Sequence, residues 1–157
     1  MMPDFELVSM SPRPYAYVSR SCTLPQISGA MAASFETLSE ALSKARVLPA
    51  GPPLAHYREI GDGKVTFDAG FPISEDQFLA LSGSGLGLGA TAAGQAIKAL
   101  HIGAYERLSD TYAAVLDEMR TRGLEATEDM WESYLSPPGT PQNETATEVL
   151  WPVRGTA

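Results

Sequence analysis

The sequence predicts an α+β fold made of two tandem strand–helix–strand–strand (βαββ) repeats. Three observations point to it. Apolar residues recur at three- and four-residue steps in two separate stretches, they alternate in the segments around those stretches, and the two halves close on one pattern, Phe71-Pro72-Ile73 and Trp151-Pro152-Val153. A single such unit, with one helix on a three-stranded piece, cannot cover its own apolar face. The halves are therefore expected to pack about a pseudo-twofold axis into antiparallel sheets, with a ligand groove along the axis.

Residues 5–19 carry short apolar pieces broken by Pro12 and Pro14, which fits a strand or a bent pair of strands. Ile27, Met31, Phe35, Leu38 and Leu42 then mark one face of a helix that follows Pro25 and ends before Pro49. After the turn Pro49-Ala50-Gly51-Pro52-Pro53, residues 54–60 read as extended, Gly61-Asp62-Gly63 turns, and residues 65–73 alternate as a strand. The second half repeats the order: a strand at 95–102, a helix marked by Leu108, Tyr112, Val115, Leu116 and Met119 that stops at Gly123, and strands at 130–135 and 147–153 around a Pro-Pro-Gly turn. Repeat one spans about residues 5–75 and repeat two about 95–154 of a single domain over 1–157, with a linker at about 76–94.

Within that linker, Gly87, Gly89 and Ala92 satisfy a Gly-x-Gly-x-x-Ala spacing. A dinucleotide site would need a buried parallel strand before it and an acidic residue about twenty positions later. The preceding stretch is short and polar, so a flexible connection is the expectation here.

Composition narrows the function. The chain has 157 residues, 44% of them hydrophobic, which is enough for a real core. A net charge of −8, from 19 acidic and 11 basic residues, argues against direct nucleic-acid binding. Cys22 is the single cysteine and His56 and His101 are far apart in sequence, so neither a disulfide nor a metal centre is expected. Met1-Met2-Pro3-Asp4-Phe5-Glu6 does not read as an export signal, and no apolar run approaches the ~20 residues of a bilayer span. The expectation is a cytoplasmic protein with no membrane partner.

The densest chemistry lies at Trp131-Glu132-Ser133-Tyr134. Strand alternation places Met130, Glu132 and Tyr134 on one face and Trp131, Ser133 and Leu135 on the other. A carboxylate among aromatic rings is costly to bury unless something cationic or reactive uses it. The alternative is an ordinary solvated or paired glutamate.

The chain resembles the GyrI-like small-molecule-binding family, which is also the effector-binding domain of some AraC-type and MerR-type multidrug-responsive regulators. Leu100-His101-Ile102-Gly103-Ala104-Tyr105-Glu106-Arg107-Leu108 with Tyr112, Arg122-Gly123-Leu124, Trp131-Glu132-Ser133-Tyr134-Leu135-Ser136-Pro137 and Thr147-Glu148-Val149-Leu150-Trp151-Pro152-Val153 carry the likeness in the second half. Gly51-Pro52-Pro53 with His56-Tyr57, and Ala69-Gly70-Phe71-Pro72-Ile73, carry it in the first. Ala104, where proline is common, and Ser136, where Asp or Asn commonly precedes the proline, depart from the pattern at turns. The resemblance implies helices on one side of the sheets, a groove between the halves, and a glutamate at the position of Glu132 that meets the positive charge of aromatic drugs.

Candidate ligand-binding residues follow as Glu132, Tyr134, Trp151, Tyr57, Tyr105, Phe71 and His101. Tyr57 stands in the first repeat where Tyr134 stands in the second, and both a groove wall and a core packing position fit it. Trp151 and Phe71 form a second symmetric pair that could line the groove or fill the core. Tyr105 opens the second helix beside the groove or packs its start. His101 reads as a satisfied sheet histidine more readily than as a base. Two classes of function remain. One is a stand-alone binder of hydrophobic, often cationic aromatic compounds. The other is a hydrolase of reactive cyclopropane-bearing genotoxins, an activity that the resemblance brings, in which Glu132 acts with Tyr105 or Tyr57. A gyrase-modulating interaction is a weaker third. None of the three requires a cofactor.

Overall fold

The computed structural model describes residues 5–137 and 139–154. Met1–Asp4 and Pro138, the middle of the expected Pro-Pro-Gly turn, fall outside the described residues. In chain order the strands are β1 (Phe5–Met10), β2 (Pro14–Thr23), β3 (Leu54–Gly61), β4 (Lys64–Pro72), β5 (Gly87–Ala90), β6 (Gly94–Ile102), β7 (Glu125–Ala126), β8 (Met130–Tyr134) and β9 (Ala146–Arg154); the helices are α1 (Ile27–Ala45) and α2 (Leu108–Thr121). They divide into two compact units, one of residues 12–92 and one of residues 93–154 with 5–11.

The first unit is a four-stranded antiparallel sheet in the order β3-β4-β2-β5, with α1 packed on one face. A 3-10 turn at Leu24–Gln26 leads into α1, and the Gln26 side chain accepts a hydrogen bond from the Thr23 backbone N–H at 3.0 Å. The helix ends where Arg46 turns left-handed (φ 58°) and the Val47 N–H returns to the Leu42 carbonyl at 2.9 Å. Its inner face buries Ser34, Leu38 and Leu42, and a core of Ala16, Leu42, Val47, Ile73 and Leu81 forms against the sheet. Phe35 meets Phe71 edge-on, ring centres 5.6 Å apart.

The second unit has the order β1-β6-β9-β8, again antiparallel, with β7 paired to β9 and α2 on one face. Ile97, Ala99, Val115 and Met119 form its core, packed round by Phe5, Leu124, Ala126, Trp151 and Val153. The α+β architecture of two βαββ units, each with its helix on one face of an antiparallel sheet, is thus as the sequence predicts.

Two segments differ in detail. Residues 5–19 hold two strands that part company: β1 pairs with β6, whereas β2 pairs with β4. The glycine-rich segment read as a flexible connection carries 3-10 turns at Glu75–Gln77 and Leu79–Leu81 and the short strand β5. A Cβ at Gly87 would stand 2.4 Å from the Tyr17 ring, so the glycine is required by an aromatic side chain lying across the strand. Gly87 therefore has a packing cause, whereas a Cβ at Gly89 would make only ordinary contact at 3.6 Å. No described helix is long and apolar enough to cross a membrane.

Candidate functional site

On β8 the alternation holds. Glu132 pairs with Val149 of β9, which pairs with Ala99 of β6, so the carboxylate shares the sheet face that packs under α2. Glu132 is 1% exposed. Burial of this kind demands compensation, because an ionised carboxylate loses several kcal/mol of hydration on leaving water, of order ~5. Part of the compensation comes from two residues along the strand, where the Tyr134 hydroxyl donates to Glu132 Oε1 at 2.8 Å. The i, i+2 spacing makes this bond possible, since both side chains leave the same face.

Tyr105 completes the group. Its ring meets that of Tyr134 edge-on, with centroids 5.9 Å apart and planes at 89°. Burial, and then the nearby negative charge of Glu132, push the Tyr105 phenol above its ordinary range, although the ring is half exposed. Glu132, Tyr134 and Tyr105 thus stand together: a buried carboxyl that accepts from one tyrosine, whose ring in turn meets a second, half-exposed tyrosine. On the neighbouring rung, Tyr134 pairs with Thr147 and Thr147 with His101. The Thr147 hydroxyl is buried and has no hydrogen-bond partner among the described residues.

His101 is a satisfied histidine. Its Nδ1 lies 2.7 Å from the Thr111 hydroxyl of α2 and its Nε2 2.9 Å from the Ala104 carbonyl. Trp151 belongs to the core of the second unit, where its Nε1–H donates to the Thr127 carbonyl at 3.0 Å and its ring stands edge-on to Tyr112 of α2 at 6.2 Å. In the first unit, Tyr57 is buried against Phe67 at 6.1 Å and Phe71 packs on Phe35.

A second polar centre lies on the face of the first sheet away from α1, and no spacing along the chain marks it. Ser19 and His56 flank Asp68 across β2-β4-β3. The Ser19 hydroxyl donates to Asp68 Oδ1 at 2.5 Å, Arg58 Nε lies 3.2 Å from the same oxygen, and His56 Nδ1 lies 3.6 Å from Oδ2. Burial pushes the Asp68 pKa up, but His56, Ser19 and Arg58 together outweigh it and hold the carboxyl below its ordinary range. Three segments distant in sequence meet there, so only cross-strand register could have revealed it.

An open groove of about 1090 Å³ runs beside α1, lined by residues such as Thr37, Glu40, Lys44, Ala80 and Ser84. It offers neither a buried charge nor an aromatic wall. Among the described residues no group of three or more His, Cys, Asp or Glu could hold a metal ion.

Residues 3–154 match the GyrI-like small molecule binding domain, and the chain belongs to that family. Solved structures share its fold. The C-terminal domain of EcmrR is 16% identical with a TM-score of 0.79, covering 99% of this chain and 100% of that one. SAV2435, solved bound to tetraphenylphosphonium, is 13% identical with a TM-score of 0.68, covering 97% and 94%. A hydrolase encoded by lin2189 from Listeria innocua is 15% identical with a TM-score of 0.68, covering 98% and 93%. Among curated proteins none matches the sequence.

Proposed function

We propose that this small-molecule-binding domain takes hydrophobic, cationic aromatic compounds at the Glu132–Tyr134–Tyr105 constellation. The observation that carries the reading is the buried Glu132 carboxylate beside two tyrosine rings. A buried negative charge attracts a delocalised cation that is itself cheap to desolvate, and ring faces add cation–π contact of about 0.5–2 kcal/mol each. The relative solved with tetraphenylphosphonium supports the ligand class, since that ion is a bulky aromatic cation. The partly exposed Tyr105 edge supplies the approach from water, and the buried Thr147 hydroxyl offers a further polar contact.

Titration calorimetry with tetraphenylphosphonium tests the reading. Saturable binding that is weakened strongly in Glu132→Gln is the expected result. Binding of equal strength in that variant would refute it.

A second reading, hydrolysis of a strained cyclopropane-bearing electrophile, has one observation in its favour. The Tyr134 hydroxyl hydrogen-bonded to Glu132 forms a donor–acceptor pair suited to moving a proton while water adds. Water would form the new C–O bond as the ring C–C bond breaks, and its proton would end on the released carbon. Mass spectrometry for a product one water heavier, made by the wild type and lost in Glu132→Gln, would establish this reading over simple binding.

A further inference from the structure

We propose that His101 is a positioning residue that sets the Tyr105 ring against the Tyr134–Glu132 pair; this rests on the binding reading above. His101 sits at the end of β6 and is 7% exposed. Its Nε2 faces the Ala104 carbonyl, which can only accept, so Nε2–H donates there, while Nδ1 shares a hydrogen bond with the Thr111 hydroxyl. One ring thereby ties the strand end to α2 on one side and to the turn before α2 on the other.

That turn is what carries Tyr105. The Ala104 carbonyl also receives the Arg107 N–H at 3.0 Å, closing the 3-10 turn Tyr105–Arg107. The same oxygen is therefore the anchor of the turn and the target of His101. Gly103, with φ 135°, makes the sharp change of direction just before it, and its N–H is held by the Thr145 carbonyl at 2.8 Å. Those two backbone bonds close the turn on itself and tie its start to Thr145. The imidazole bond to Ala104 adds the side-chain restraint that ties the turn to β6 beside the Tyr134 rung.

Two substitutions separate the two bonds. His101→Asn puts its amide near the Nδ1 position and abandons Ala104, whereas His101→Gln keeps a donor near the Nε2 position. The first readout is the titration of the Tyr105 phenol in the ligand-free protein, followed by NMR of tyrosine Cζ. The second is the affinity for tetraphenylphosphonium, measured also in a Tyr105→Ala background. In His101→Asn the Tyr105 phenol should titrate lower, toward the ordinary value of about 10, because it leaves both its burial and the field of Glu132. His101→Gln should restore the wild-type titration. Affinity should fall about fivefold in His101→Asn, the worth of one hydrogen bond, and show no further fall once Tyr105 is already alanine.

An unchanged Tyr105 titration in His101→Asn overturns the proposal, as does a loss of affinity that persists without Tyr105. If the wild type fails to bind the cation, the binding reading falls, and the Tyr105 titration still decides whether His101 positions that ring.

Discussion

The two repeats share a backbone plan but bury their carboxylates on opposite faces. Aligning Phe71-Pro72-Ile73 with Trp151-Pro152-Val153 puts the rung Val18–Ala69–Ala55 of the first unit in register with Ala99–Val149–Glu132 of the second. Under α1 that rung is wholly apolar, and Ala55 is 0% exposed. Under α2 the corresponding position holds a buried acid. On the outer face both units carry an acid, buried as Asp68 in the rung Ser19–Asp68–His56 and only half-buried as Glu148 in the rung Leu100–Glu148–Ser133. Asp68 is closed off by a hydroxyl, an imidazole and a guanidinium, as a structural charge must be. The contrast is between Asp68, held by a hydroxyl and two cationic side chains, and Glu132, which accepts from a tyrosine hydroxyl; on the binding reading proposed above, the first carboxylate serves stability and the second the ligand.

Placing an acid in the first unit where the second has one is the harshest test of this contrast. Ala55→Glu should destabilise the protein by about 3–5 kcal/mol, the penalty of an unpaired buried charge, seen as a large fall in melting temperature. Glu132→Gln should do the reverse of what a structural carboxylate would. Stability should hold or rise, while affinity for an aromatic cation drops by about 2–5 kcal/mol.

Asp68→Asn should cost roughly 1–3 kcal/mol of stability, since it weakens charge-assisted hydrogen bonds. It should also flatten the acid limb of the stability profile. Because the folded pKa of Asp68 is depressed, its contribution is fully present above the unfolded carboxyl value of about 3.9 and is lost as pH falls through the folded value. Denaturant titrations across the acid range would show wild type and variant converging at low pH. Smallest is Gly87→Ala, which forces the Tyr17 ring aside and should cost about 1 kcal/mol; it should leave cation binding untouched.

Much of this was legible in the sequence because periodicity is local. The heptad-like steps from Ile27 and Leu108 gave both helices, and alternation put Glu132 and Tyr134 on one face, where a hydrogen bond joins them. What escaped depends on partners distant in the chain. Phe5–Met10 reads like the start of the first repeat, yet its pairing is with β6. Gly87–Ala90 has almost no strand propensity and is a strand through its pairing with β2, where Gly87 leaves room for the Tyr17 ring. The Asp68 cluster and the two hydrogen bonds of His101, to Thr111 and to Ala104, required register and helix placement that no spacing encodes. Tyr105 stood out through the family resemblance alone, and its contact with Tyr134 is a fact of the turn before α2.

The central claim is that Glu132 selects ligands by charge. Tetraphenylphosphonium and tetraphenylborate have nearly the same size and shape and opposite charge, so the ratio of their affinities isolates the electrostatic part of binding. The wild type should favour the cation by at least about tenfold, or ~1.4 kcal/mol, and Glu132→Gln should bring the ratio close to one. A wild type that binds both ions alike, or a preference for the cation that survives in Glu132→Gln, would contradict the account.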